Sequence, residues 1–399
     1  MKKRVMFAIL LLSFLAVLLF IPSGTTVFAE GNEEETEKNL DDTVNDTLNG
    51  LDLTGFDELL NLLREYNDVS VANSVRTLVN DILAGKSELD FSYFLKFCSE
   101  ILLGETVNIL PQLILIAVFA ILYAVLQNLN ADFSSSSTQK ILYLACFGLV
   151  VTVIGVMTAK NISSAVRTFE FMGKFSEVSF PVLITLVTAL GGSASAAVYQ
   201  PLILIFGNVL IVMIKTVIMP LFYVTFVFSL VGHLSDNVKL DKFSKTVKSA
   251  AEWILGIAFG TFVTLLTSQG ITGAGLDNLA IRGAKFALSS YVPIIGNYLK
   301  DGFDIVLAGC IVVKNALGLC AVIILLFAVL VPLLKTVILM LGLKFTAALL
   351  QPVSDEKFSS LLYAVSDSFK ILIVAVLCAG FAALLIVMMI IYTCNFGVL

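Results

Sequence analysis

The stretch LGLCAVIILLFAVLVPLLKTVILMLGLKFTAALL, residues 317–350, decides the fold class. It contains two apolar runs, Leu317 to Val331 and Leu333 to Leu350, joined at Pro332 and followed by the polar marker Lys357-Phe358-Ser359. Apolar runs of this length are membrane-crossing candidates, because about 20 residues of helix span the hydrocarbon of a bilayer. Related cassettes lie upstream. Pro111-Gln112-Leu113 and Pro220-Leu221 open apolar runs, and Asp132-Phe133-Ser134 and Lys242-Phe243-Ser244 are their polar markers. Duplicated membrane modules of this kind build many transport proteins.

Composition agrees with that reading. The chain is 58% hydrophobic and 14% charged, with a mean hydropathy of +0.97. A water-soluble globule carries about a quarter charged residues, so lipid is the solvent for most of this polypeptide. The predicted class is therefore all-α: a polytopic α-helical membrane protein of internally repeated helical modules, with candidate re-entrant or broken helices and a small helical extracytoplasmic N-terminal region.

Three regions follow. Residues 1–29 read as a signal peptide, with Lys2, Lys3 and Arg4 before an apolar core from Val5 to Ile21 and a cleavage position after Ala29. Residues 30–108 form an acidic, partly helical extracytoplasmic segment, rich in Glu33, Glu34, Glu35, Asp41 and Asp42. Its apolar stripes are Phe56 to Tyr66, Val75 to Leu83 and Phe91 to Leu103, which pack on each other or on a partner. Residues 109–399 form the polytopic domain of about two and a half repeats. Its remaining crossing candidates are Leu110 to Leu129, Ile141 to Thr158, Pro201 to Ile214, Val217 to Leu234, Trp253 to Thr267 and Ile371 to Tyr392, with a tight turn expected at Lys215. The acidic balance, net charge −5, excludes nucleic acid as a partner, since phosphate binding needs a basic surface.

Two connections have amphipathic spacing. Leu240, Phe243, Val247, Ala251 and Ile254 share one side of a helix, with Lys239, Lys242, Lys245 and Lys248 on the other. This is an interfacial basic helix, expected on the cytoplasmic side where anionic lipid and the positive-inside bias both act. A second, less basic helix carries Phe358, Leu361, Leu362, Val365 and Phe369; its side depends on the number of crossings between the two.

Two segments are interrupted by glycine and polar residues at corresponding places in the repeat. One contains Gly191, Gly192, Ser193 and Ser195; the other contains Gly296, Asn297, Lys300, Asp301 and Gly302, with Asp304 close behind. Interrupted apolar segments mark broken helices around a polar path, while small residues equally serve close helix packing. Lys314-Asn315 breaks a further apolar stretch. An ammonium there needs a carboxylate, a carbonyl cluster or water, and Asp301 and Asp304 are the nearest acids in sequence. A pore-lining role, a structural pair and a turn all fit that dipeptide.

The inventory gives no enzyme. His233 is the one histidine, at the end of a crossing, and reads as an interfacial cap. No Walker loop, GxSxG or HExxH occurs, and no cysteine pair has metal-ligand spacing. No cofactor is expected, and the cysteines read as small packing residues.

Particular strings carry a resemblance. Leu190-Gly191-Gly192-Ser193-Ala194-Ser195-Ala196-Ala197 before Tyr199-Gln200-Pro201, Val217-Ile218-Met219-Pro220-Leu221, Ser268-Gln269-Gly270, Arg282-Gly283-Ala284-Lys285-Phe286, Val292-Pro293-Ile294-Ile295-Gly296, Val313-Lys314-Asn315 and Leu350-Gln351-Pro352 resemble the stage III sporulation protein AE family of endospore-forming bacteria. The resemblance implies a polytopic component, in the mother-cell membrane, of a channel or secretion-like complex connecting mother cell and forespore and required for forespore development. Its implied partners are other membrane and intermembrane-space proteins of that complex, and the bilayer. It transfers no catalytic residue. Beside it stands the reading from physics alone, a stand-alone permease for a small solute.

Overall fold

In a computed structural model the described residues are 33–67, 72–84, 91–130, 136–234, 240–291, 296–354 and 356–394. The expected leader at 1–29 and Lys239 lie outside them. Among the described residues every regular element is helical. The elements are α1 (Glu33–Gly50), α2 (Thr54–Asn67), α3 (Val75–Leu83), α4 (Phe91–Asn130), α5 (Ser136–Ala189), α6 (Ser193–Leu204), α7 (Met219–Val231), α8 (Asp241–Tyr291), α9 (Gly296–Leu350) and α10 (Glu356–Tyr392).

Six stretches among the described residues are long and apolar enough to cross a membrane: Phe94–Gln127, Lys140–Ala189, Ile211–Val231, Lys242–Ser268, Asp304–Leu350 and Glu356–Tyr392. The eight runs expected from sequence reduce to six for two reasons. Leu317–Val331 and Leu333–Leu350 fuse through Pro332, which lies inside α9. The lost backbone hydrogen bond at a proline is tolerated where neighbouring helices and hydroxyls re-satisfy the freed groups, and Thr336 Oγ1 donates to the Pro332 carbonyl at 2.8 Å. The tight turn expected at Lys215 is likewise absent. The backbone stays helical from Ser193 to Val231 through two π-helical segments, Ile205–Leu210 and Ile214–Ile218. A π-turn inserts a residue without ending the helix. Lys215 stays exposed while Ile214 and Ile218 on either side are buried.

The repeated cassette corresponds to a helical hairpin. Pro111, Pro220 and Pro332 sit within α4, α7 and α9, and Phe243-Ser244 and Phe358-Ser359 lie in the first turns of the returning helices α8 and α10. Phe133-Ser134 falls outside the described residues. The hairpin α9–α10 is the centre of the molecule: 83% and 78% of its most apolar windows are buried, against 22–39% in the other spans. Glycine brings these helices together. A Cβ on Gly380 would stand 2.7 Å from Val329 Cγ2, so this crossing depends on a missing methyl. At the connected end Ser359 Oγ donates to the Ala347 carbonyl at 3.0 Å.

Cross-contacts set the direction of every span. Lys248 of α8 pairs with Asp367 of α10, Tyr143 of α5 donates to the His233 carbonyl at 2.6 Å, and Tyr123 of α4 lies 5.4 Å from the Phe358 ring. These contacts gather the two amphipathic connections at one end of the bundle, the lysine end. Both expected amphipathic helices are thus on the same side, and each runs without a break into a span. Phe358, Leu361, Leu362, Val365 and Phe369 are all buried there.

The opposite end carries α1–α3, which form a cap. Phe56, Leu59, Leu60, Leu63, Val75, Leu78 and Val79 are its buried core. The cap rests on extensions of the bundle rather than standing alone: a Cβ on Gly55 would meet Val178 of α5 at 2.7 Å, and one on Gly309 of α9 would meet Thr43 of α1 at 2.7 Å. The Arg167 guanidinium stacks over Tyr66 at 5.6 Å. These extensions exist because α5, with 54 residues, is about 80 Å long at about 1.5 Å per residue, far more than the hydrocarbon needs. From Lys160 onward it exposes Lys160, Arg167, Glu170, Lys174 and Glu177. The segment boundary at 108/109 falls within α4, which continues without interruption from Phe91 to Asn130.

Candidate functional site

The break between α5 and α6 is built from its glycines. Gly191 has φ 84°, in the left-handed region open to glycine. Its N–H donates to the Thr188 carbonyl at 2.9 Å, and the Gly192 N–H donates to Val187 at 2.9 Å, which closes the end of α5 in a Schellman turn. Gly192 is also sterically obligatory. A Cβ there would lie 2.6 Å from Val187 Cγ1, 2.7 Å from Cys394 Sγ and 2.8 Å from the Val187 carbonyl oxygen.

A helix starting at Ser193 has no capping side chain of its own, because its N-cap is Gly192. The cap comes instead from α8. Asp277 accepts the Ala194 N–H on Oδ1 at 3.0 Å and the Ser195 N–H on Oδ2 at 2.9 Å, and it is only 3% exposed. A carboxylate at a helix N-terminus satisfies orphan amides and meets the positive end of the helix dipole.

The mirror-image contact lies close by. Lys314 of α9 is fully buried, and its Nζ donates to the Ile391 carbonyl at 2.9 Å and to the Thr393 carbonyl, at the C-terminal end of α10. A cation belongs at this negative pole of a helix. Tyr199 of α6 hydrogen-bonds the Thr393 hydroxyl. That hydroxyl gives its own proton to Met389 O at 2.8 Å, so Tyr199 is the donor. The start of α6 and the end of α10 are thereby tied through Tyr199–Thr393, with one buried charge at each helix end. We call this arrangement the clamp.

Of the residues expected from sequence, the structure brings Gly191, Gly192, Ser193, Ser195 and Lys314 into the clamp. The carbonyl cluster is the partner that Lys314 takes. Asp304 lies ten residues earlier on α9, about 15 Å along the axis, beyond direct reach. Gly296, Asn297, Lys300 and Asp301 lie in the first turns of α9, and their side chains lie outside the described residues. The sequence gives no site role to Asp277 or Thr393, while Tyr199 enters only within the family string and Cys394 only as a packing residue. A single acid at Asp277, between two stretches of small and apolar residues, was the available signal.

At the lysine end Lys242 and Lys245 are exposed, whereas Lys248 turns inward to Asp367, which also holds Lys370. Beside them Ser229 Oγ lies 3.2 Å from both Ser244 Oγ and Ser368 Oγ, joining α7, α8 and α10. His233 Nδ1 lies 2.8 Å from the Ser229 carbonyl oxygen, so the imidazole caps the end of α7.

A polytopic helical bundle with a broken, internally capped helix is the class these features define. The family model for stage III sporulation protein AE matches residues 73–394, and the chain belongs to that family. It is 26% identical over 361 residues to stage III sporulation protein AE of Bacillus subtilis (strain 168), covering 89% of this chain and 90% of that protein. No solved structure matches. The chain is thus a membrane protein of sporulation. The matched region begins at α3 and ends at Cys394, the last residue of the clamp.

Proposed function

We propose that this chain is the polytopic subunit of a channel or secretion-like complex that connects mother cell and forespore and is required for forespore development. The observation that carries the reading is family membership across 73–394. In this reading the protein sits in the mother-cell membrane, its signal peptide removed, with the cap in the intermembrane space and the lysine end in the mother-cell cytoplasm. The separation of the cap from Lys242, Lys245, Lys248 and Lys370 at opposite ends supports that orientation, because basic residues gather on the cytoplasmic side. Its partners are the other membrane and intermembrane-space proteins of the complex, and lipid; it has no catalytic role and takes no cofactor.

The clamp favours a subunit over a self-sufficient carrier. In carriers with broken helices the free N-terminus of a half-helix faces an anionic substrate. Here Asp277 of the same chain already holds the amides of Ala194 and Ser195. The test is affinity capture of the tagged protein from sporulating cells, beside transport assays on the purified protein in vesicles. Co-purification with other membrane and outer-face proteins, and arrested spore development on deletion, support the subunit. Solute uptake by the isolated chain would establish the permease instead.

A further inference from the structure

Exposed charges divide the bundle crosswise. On α4, on α5 and on the stretch leading through α7, residues 106–127, 141–159 and 216–234 contain no Asp, Glu, Lys or Arg. Each stretch is close to the length of helix that spans bilayer hydrocarbon, about 20 residues. Glu105, Lys160 and Lys215 close the three stretches on the cap side, and all are exposed. The outward positions within them are apolar, among them Val118, Leu122, Leu144, Val156, Val224 and Val227.

Cross-contacts put charges of three helices at one level. The Tyr123 and Tyr143 rings lie 5.5 Å apart. From that contact, 18 residues along α4 lead to Glu105 and 17 along the antiparallel α5 lead to Lys160, about 26 Å toward the cap. Asn161 Oδ1 accepts from Thr336 of α9 at 2.8 Å, so Lys160 and Lys335, the residues before them, share this level as well. Beyond it the surface changes character. α5 exposes Arg167, Glu170, Lys174 and Glu177 at helical spacing, and the outward side of α8 passes from Trp253 and Ile257 to Thr261, Thr264, Thr267 and Ser268. Leu95, Leu102 and Leu103 of α4 are also exposed there but alternate with Lys96 and Glu100, while exposed Val209 and Val212 adjoin Lys215. Charges repeated along one outward helix face are too costly for hydrocarbon.

We propose that lipid surrounds only the half of the bundle between the lysine end and the level of Glu105, Lys160 and Lys335, where the headgroups meet the protein, and that the other half stands in water as a column under the cap. The clamp belongs to the column. Lys314 is 21 residues nearer the cap than Lys335 on α9, about 32 Å along the axis, whereas the hydrocarbon on the other side of Lys335 is about 30 Å thick. Broken helices that bind transported solutes lie near the bilayer midplane. The break at Gly191-Gly192 lies outside the bilayer, so it shapes the column that carries the cap. This boundary is the same whichever compartment the cap faces.

The test is tryptophan quenching in the purified full-length protein, reconstituted in phosphatidylcholine vesicles with brominated acyl chains or in plain vesicles with iodide on both sides. Trp253 is the one tryptophan, is 65% exposed and lies in the lipid half, so the unaltered chain should lose most of its fluorescence to bromine. In a Trp253→Phe background, Val156→Trp should behave in the same way. Glu170→Trp and Lys174→Trp should keep their fluorescence in brominated vesicles and lose it to iodide; an unchanged melting temperature shows that each variant is folded. Bromine quenching of Glu170→Trp and Lys174→Trp as strong as that of Val156→Trp would run lipid along the whole of α5 and overturn the proposal. An unquenched Trp253 would place the lipid elsewhere and overturn it too, as would column probes that answer neither quencher, since protein would then cover them in place of water.

Discussion

Asp277 and Ser195, 82 positions apart in the chain, meet at 2.9 Å through the carboxylate of one and the backbone N–H of the other. That contact makes the start of α6 dependent on α8. A helix broken inside a bundle exposes amides that no neighbour in sequence can satisfy, and Asp277 satisfies two of them. On the opposite side of the same break Lys314 holds the last carbonyls of α10. The two charges, on α8 and α9, stabilise the start of α6 and the end of α10, so the clamp fastens four helices of the bundle.

Asp277→Ala should leave the Ala194 and Ser195 amides unsatisfied, at a cost of about 2–4 kcal/mol. Thermal unfolding of the detergent-solubilised protein should show a clear drop, and sporulation should fail. Asp277→Asn keeps one acceptor and should fall between the two. An alanine variant as stable as the parent would show that the carboxylate is dispensable.

Gly192→Ala is expected to destabilise by about 1–3 kcal/mol through overpacking, since the added Cβ meets both Val187 and Cys394. Gly192→Leu should abolish sporulation even where the protein still inserts. Membrane fractionation with a spore count separates the two effects.

Lys314→Leu should impair sporulation far more than Lys215→Leu. Lys314 is fully buried on carbonyls, while Lys215 is exposed on the π-helical stretch, and exposed substitutions usually shift stability by about 0.5 kcal/mol or less. Equal tolerance of the two leucines would remove Lys314 from the clamp.

Ser244 is buried against Ser229 and Thr225, so thiol mapping of the lysine end is better done from exposed Lys245. In a cysteine-free background, Lys245→Cys should react with an impermeant reagent only from the cytoplasmic side, and Asn61→Cys in the cap only from the other. Labelling of both from one side would refute the assigned directions of the spans.

Breaking the Lys248–Asp367 pair with Asp367→Ala should cost about 1 kcal/mol, the range of partly exposed ion pairs. The exchange Lys248→Asp with Asp367→Lys should restore only part of the lost melting temperature, because Lys370 loses its carboxylate partner in it. Each single reversal should be worse than the alanine, because it places like charges together.

Much of the architecture is legible along the chain. The apolar runs announce the spans, and the proline and Phe-Ser markers announce the hairpins. Gly191-Gly192 announces the break, where only glycine relaxes a positive φ. The turn expected at Lys215 is a different case. Apolar length suggested two helices, but the π-helical insertion that keeps one helix continuous leaves no periodic trace over five or six residues. The glycine-rich start of α9 likewise reads as an interruption, and its residues from Gly296 onward are helical.

What the sequence by itself determined is the local and one-dimensional part: lipid as solvent, helix as the backbone solution, and the positions where the helix has to stop. Tertiary structure alone decided which groups answer the buried charges. Lys314 reaches past Asp304 to carbonyls 77 and 79 residues away, and the break at Gly192 is capped from 82 and 83 residues away. Hydropathy and periodicity are set by neighbours within a few turns, whereas a buried charge is satisfied by whatever helix end the packing of the hairpins brings against it.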